Sequence, residues 1–207
     1  MEIEFKFLID EEFTRDKIFN DKHLQEISED GTVETILMKA VYFDTEEKDL
    51  LKKEMAYRIR FEDERTVATL KWGGKAEDGL HVRGELNVPV DREFVRHPEI
   101  DIFQGSAIYQ EIVRAVGDKK LIPVMEMEFI RKQVQIDTGK SISVVSYDEG
   151  EIRTSAGNAP ISELEIELYS GDQEDMIALG NQLATRYNLK AGNKSKFQRG
   201  LELLGVF

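Results

Sequence analysis

The sequence predicts an α+β protein that is predominantly antiparallel β: an eight-stranded closed barrel with a charged lumen and helices packed outside. Three observations carry this. Charged and apolar residues alternate through Glu2-Ile3-Glu4-Phe5-Lys6-Phe7, and period-two alternation marks a strand with unlike faces. The pattern recurs in Tyr57-Arg58-Ile59-Arg60-Phe61, His81-Val82-Arg83-Gly84-Glu85-Leu86 and Ser162-Glu163-Leu164-Glu165-Ile166-Glu167-Leu168. Carboxylates in a row on one strand repel one another, so something positive should face them. A closed sheet lets the acidic and basic faces share one lumen.

The elements follow in order. After strand Glu2–Ile9, residues Asp10 to Ile27 have helical spacing, with Phe13, Ile18, Phe19 and Leu24 to one side. Glu11, Glu12 and Asp16 lie near its start, where carboxylates suit the helix dipole. Asp30-Gly31 is a turn, and Thr35 to Asp44 is the second strand. Thr45 can cap a short helix that turns Leu50 and Leu51 inward. Strands Ala56–Glu62 and Thr66–Trp72 meet at Asp63-Glu64; Gly73-Gly74 ends the second, and a polar loop runs to Gly79. His81 to Val90 is a strand, and Asp91 to Asp101 a connector. Ser106 to Val116 is a helix with Ile108, Ile112, Val113 and Val116 as its apolar stripe, stopped by Gly117. A long strand, Met125 to Asp137, turns at Thr138-Gly139-Lys140 into Ser141–Asp148. Asp148-Glu149-Gly150 turns again, and Ile161 to Tyr169 is the last strand. Gly171 to Tyr187 is a helix burying Met176, Leu179 and Leu183; Ser195 to Leu204 closes the chain. No repeat or linker divides residues 1–207, so one domain is expected.

Against 28 Lys and Arg stand 41 Asp and Glu, a formal net charge of −13. That balance argues against nucleic-acid and anionic-membrane partners while leaving room for a local basic site. There is no cysteine, hence no disulfide framework and no thiolate chemistry. The sequence begins on a charged strand, with no leader-like segment and no apolar run near the ~18 residues that span a bilayer. The expected location is cytoplasmic; no pattern speaks to oligomeric state.

Two motifs drop out. Asp137-Thr138-Gly139-Lys140-Ser141 ends like a phosphate-binding loop, but Val134 stands where the first glycine belongs, and the segment joins two strands. It is read as a hairpin turn. His23, His81 and His97 have no metal-ligand spacing; only His81 lies on the charged face of a strand.

The carboxylates Glu2, Glu4, Asp148, Glu163, Glu165 and Glu167 form an all-oxygen array suited to Mg²⁺ or Mn²⁺. The bases Lys6, Arg58, Arg60, Lys71, Arg83, Arg131 and Lys196 fall largely on alternating strand positions, and arginine forks grip phosphate oxygens in pairs. A lumen holding both suits a polyanion that enters with a divalent metal. Burying so many charges for stability alone rarely repays their desolvation.

On these residues the chain resembles the CYTH domain, the triphosphate tunnel metalloenzyme family. The resemblance rests on Glu2-x-Glu4-x-Lys6, Tyr42-Phe43-Asp44-Thr45, Arg58-Ile59-Arg60, Thr69-Leu70-Lys71, Arg83-x-Glu85, Arg131, Asp148, Glu163-x-Glu165-x-Glu167 and Ser195-Lys196. It implies an eight-stranded tunnel acting on triphosphates with divalent metal. The stretches Gly79–Glu85 and Ser162–Asp172 look most like bacterial inorganic triphosphatases. Those proteins often carry a helical, histidine-rich CHAD domain after the tunnel, which these 207 residues lack. Short members often have a base two residues before Arg131; here it is Phe129.

The expected activity is therefore hydrolysis of inorganic triphosphate, with Glu2, Glu4, Lys6, Glu165 and Glu167 as candidate catalytic residues. Three alternatives stay open. An adenylyl cyclase would need a base pocket, and no aromatic set is evident on the lumen-facing positions. A thiamine triphosphatase would need a stacking ring, whereas Trp72 alternates away from Lys71. A non-catalytic polyphosphate-binding module would not need the acids.

Overall fold

The alternation at the start of the chain forms strand β1 (Glu2–Leu8), and both of its edges are used. In this computed structural model, which describes residues 1–9 and 12–206 (12–15 by backbone alone), β1 pairs with β8 (Gly157–Gly171) and with β5 (Leu80–Pro89). Between these run β4 (Arg65–Glu77), β3 (Met55–Glu62), β2 (Glu34–Asp44), β6 (Ile122–Asp137) and β7 (Ser141–Thr154). Every neighbouring pair is antiparallel, and the eight strands close into the expected barrel. A two-residue strand β9 (Lys190–Ala191) takes up β1 where β5 leaves it, opposite Phe7 and Leu8.

Apolar residues on the outer face bury against helices. Phe5, Phe7, Val145, Leu164 and Ile166 pack with Met176, Leu179 and Leu183 of α4 (Gln173–Tyr187). Gly180 lets α4 come close, since a Cβ there would lie 2.2 Å from the Phe5 ring. Tyr57, Ile59, Ala68 and Leu70 pack with Ile112 and Val116 of α3 (Tyr109–Val116). Burying such a side chain contributes ~1.5–3 kcal/mol.

The inner face is not charged throughout. Met38, Ala40, Met125, Met127, Ile152 and Ile161 share strand parity with the charged lumen residues and pack with Leu201 of α5 (Lys196–Leu203). Gly200 of α5 sits where a Cβ would lie 2.5 Å from the Met125 sulfur. So α5, unlike the helices on the outer walls, closes one end of the lumen. Its start is fixed by a reciprocal cap between Ser195 and Gln198.

Several local expectations are corrected. The helix expected over 10–27 is two, α1 (Glu12–Phe19) and α2 (Lys22–Glu26). Asp21 breaks it by accepting the Leu24 amide at 3.0 Å and binding Arg186 and the Tyr187 hydroxyl at the end of α4. Expectations for the side chains of Glu11, Glu12 and Phe13 lie outside the described residues. Gly73-Gly74 does not end β4: both glycines adopt positive φ in a bulge, and the strand resumes to Glu77. Asp148-Glu149-Gly150 is not a turn. Strand β7 runs through it to Thr154, and Gly150 is needed because a Cβ would lie 2.4 Å from the Phe129 Cα. At Thr45 the cap is Asp44, whose carboxylate accepts the amides of Thr45, Leu50 and Leu51 ahead of a 3₁₀ turn. The hairpin reading of 137–141 holds, with β6 ending and β7 starting there. Among the described residues no helix is long and apolar enough to cross a membrane.

Candidate active site

The charged part of the lumen is a cavity of about 150 Å³. Lys6, Arg58, Arg60, Lys71, Arg83, Arg131 and Lys196 line it together with Glu2, Glu4, Glu85, Glu165 and Glu167. The strand register explains the convergence: Glu2 stands opposite Arg83, Lys6 opposite Glu165, Glu4 opposite Glu167 and Arg131 opposite Asp148. In an antiparallel pair, opposed residues point to the same face, so each pairing puts two charges inward.

Five of the six carboxylates expected to form one array fall into two groups, and Glu4 belongs to neither. Beside α5, oxygens of Asp148, Glu163 and Glu165 lie within 4.8 Å of one another. Four cations already serve this group. Arg131 holds Asp148 through two hydrogen bonds of 2.6 Å and Glu165 at 2.7 Å. Lys196 reaches Asp148 at 2.7 Å, Glu165 at 2.9 Å and also Glu163. Lys6 lies 3.0 Å from Glu165, and Arg199 binds Glu163 at 2.8 Å. Asp148 and Glu163 have no exposed surface and do not line the cavity. The carboxylates around the fully buried Lys6 outweigh burial and raise its pKa to about 12. A metal at this group would have to displace these cations, so Asp148 and Glu163 are better explained as partners of Arg131, Lys196 and Arg199.

The second group is Glu2, Glu85 and Glu167, also with oxygens within 4.8 Å. Lys71 reaches Glu2 at 2.6 Å, and Arg83 reaches Glu2 at 2.5 Å and Glu4 at 3.0 Å. No cation lies within ion-pairing distance of Glu167 among the described residues. Burial and the fields of Glu2, Glu4 and Glu85 push its pKa up to about 7. An all-carboxylate cluster with one member uncompensated fits a hard divalent cation. Of the carboxylates expected to hold metal, Glu2 and Glu167 fall in this group, together with Glu85, which was not among them.

Across the lumen the imbalance is reversed. Arg58 is in contact with Tyr42, its Nη2 is 3.5 Å from the Thr69 hydroxyl, and its buried Nε has no partner among the described residues. Arg60 is held below its ordinary pKa by burial and by the neighbouring Arg58. Its carboxylate partner is Glu62, two residues along the same strand.

Sequence reasoning passed over several lining residues. Glu85 lies two positions from Arg83, on the same face of β5; that parity was the available signal. Tyr42 stands opposite Arg58, and its ring stacks on Phe197 of α5 at 4.8 Å. Against burial, Arg58, Lys71 and Arg83 draw the Tyr42 phenol below its usual pKa. Phe129, which stands where short family members often carry a base, offers its ring to Arg131 at 5.9 Å and Lys196 at 5.3 Å. The lumen thus has the aromatic set that the alternation did not disclose.

Comparison with known proteins agrees with this architecture. Residues 1–201 match the family model described as CYTH domain. Over 173 residues the chain is 30% identical to an inorganic triphosphatase of Haemophilus influenzae, covering 83% of this chain and 47% of that protein. It therefore spans about half the length of that relative. The structure of HpAC1 from Hippeastrum, a candidate adenylyl cyclase reported to have a dominant triphosphatase activity, superposes with a TM-score of 0.73. It is 21% identical, with 100% of this chain and 97% of that one covered. The PH1819 protein of Pyrococcus horikoshii gives 0.58 at 18% identity, covering 98% and 99%. Closed barrel, inward charges and sequence match converge: the chain belongs to the CYTH domain family.

Proposed function

We propose that the chain is a divalent-metal-dependent triphosphatase that hydrolyses inorganic triphosphate to pyrophosphate and phosphate inside the lumen. One observation carries this reading: the opposed walls carry opposite unmet charge. Among the described residues Arg58 has no carboxylate within ion-pairing distance and its Nε is unpaired, and the carboxylate partner of Arg60 is Glu62 alone. Among the described residues Glu167 has no cation within ion-pairing distance, and burial and its acidic neighbours push its pKa up to about 7. A polyphosphate bound with a divalent ion compensates both walls at once.

Arg58, Arg60 and Lys71 grip phosphate oxygens, where charge-assisted forks outperform neutral contacts. Lys6, Arg131 and Lys196 hold the other end of the phosphate chain, and Arg83 orients Glu2 and Glu4. Glu2, Glu85 and Glu167 would hold Mg²⁺ or Mn²⁺, which when bound neutralises phosphate charge and acidifies a water. Glu4, which lines the cavity outside that trio, would take up a proton from the attacking water.

A second reading, an organic triphosphate such as a nucleotide or thiamine ester, is favoured by the Tyr42–Phe197 stack. A neighbouring cavity of about 300 Å³, lined in part by Met55, Trp72, Phe197 and Leu201, adds to it. The test is release of phosphate, pyrophosphate and cyclic AMP from inorganic triphosphate, ATP and thiamine triphosphate with Mg²⁺ and Mn²⁺. Preference for inorganic triphosphate supports the first reading; turnover confined to an organic ester supports the second; no turnover of any overturns both.

A further inference from the structure

His81 sits opposite Glu4 on the lumen face of β5, only 4% exposed, yet it does not line the charged cavity. Its Nε2 is 2.7 Å from the carbonyl oxygen of Gly192. A carbonyl only accepts, so Nε2 carries the proton. Two residues earlier, in the turn that leads into β5, the Gly79 amide donates to Asn193 Oδ1 at 2.7 Å. The start of β5 therefore grips two successive residues of the segment between α4 and α5.

That segment is stitched to β1 as well. The Gly192 amide donates to the Lys6 carbonyl at 2.9 Å, and the Lys6 amide donates to the Gly79 carbonyl at 2.8 Å. A Cβ on Gly192 would lie 2.9 Å from Lys6 Cγ, so this backbone lies against the lysine stem. Three residues on, Ser195 caps α5, and Lys196, its first residue, enters the lumen to meet Asp148 and Glu165. The two lysines at the closed end come from opposite ends of the chain, and His81 lies where the segments carrying them are joined.

We propose that His81 and Asn193 are positioning residues, fixing the 192–195 segment so that Lys196 reaches the substrate together with Lys6. This rests on the reading of the lumen as a triphosphate site. A displacement of about 1 Å in a positioned group can cost ~10²-fold in rate, so losing this grip is felt at Lys196 although neither residue lines the charged cavity.

The experiment is a double-mutant cycle on inorganic triphosphate with Mg²⁺, read as kcat/KM and as equilibrium affinity for the triphosphate. It uses His81→Phe, Asn193→Ala and Lys196→Ala, singly and combined. Expected are losses of about tenfold or more for His81→Phe and Asn193→Ala alone, falling to under about twofold in the Lys196→Ala background, because the effect passes through that side chain. His81→Gln, which restores an N–H donor, recovers most of the loss. Losses that persist undiminished without Lys196, or no loss from either single variant, overturn the proposal. Asn193 is exposed at the surface, so its variant keeps the test decisive if His81→Phe does not fold. A wild-type protein that neither hydrolyses nor binds inorganic triphosphate overturns both the site reading and this proposal; an active wild type with additive variants overturns this one alone.

Discussion

Arg131 and Asp148 face each other across β6 and β7 and share two parallel hydrogen bonds of 2.6 Å, with Asp148 wholly buried. Fork geometry of this kind is within reach of arginine but not lysine. Arg131→Ala leaves Asp148 with Lys196 as its remaining close cation, so unfolding free energy should fall by about 3–5 kcal/mol. Arg131→Lys should recover part of it. Chemical denaturation without metal measures both.

The two acidic groups should respond oppositely to neutralisation. Glu163→Gln removes a charge that Lys196 and Arg199 need, so the metal-free protein should melt earlier while its response to Mg²⁺ is unchanged. Glu167→Gln relieves repulsion among acids, so the metal-free protein should be as stable or more so, with much weaker stabilisation by Mg²⁺. Melting temperatures with and without Mg²⁺ decide it; identical behaviour of the two variants would remove the distinction drawn between the groups.

Glu167 also sets a pH dependence. Its pKa is about 7 folded against an ordinary 4.5. Below 4.5 it is protonated in both states and costs nothing. Between 4.5 and 7 the unfolded chain releases a proton that the folded protein keeps, so this contribution to stability falls as pH rises, and the loss is complete above 7. The Glu167→Gln variant should lack this slope in metal-free unfolding measured from pH 5 to pH 8.

Arg58→Ala and Arg60→Ala should raise KM and lower kcat, since phosphate grips act in ground and transition states alike. A lost charge-assisted contact is worth roughly 1.5–3 kcal/mol, about ten- to hundredfold in kcat/KM. Steady-state kinetics that stay at wild-type values in both variants would locate the substrate elsewhere.

Alternation is a local property, and whatever depended on it was legible. The inward placement of Glu2, Arg58, Lys71, Arg83 and Glu165 follows from period two once the sheet closes. Partner choice was not legible, because it depends on register between strands far apart in sequence: nothing local says that Arg131 and Lys196 saturate Asp148 while Glu167 is left alone. The apolar end of the lumen was hidden for a related reason. Met125, Met127, Ile152 and Ile161 carry no charge to mark them as inward, and only the docking of α5 reveals their direction. Glycine misled twice, at Gly74 and Gly150, because close backbone approach and chain reversal leave the same residue in the sequence.

The use of both edges of β1 has a consequence for how the molecule is made. Its partner β8 emerges from the ribosome some 150 residues later, and Lys196 later still. Until β5 is made both edges of β1 are unsatisfied, and one edge stays open until β8 follows, a state prone to mispairing and aggregation. Long-range closure of this kind places folding among the slower, millisecond-to-second class. It also makes the lumen depend on β8: a truncated product ending before that strand has neither a ring nor a place to gather the charges.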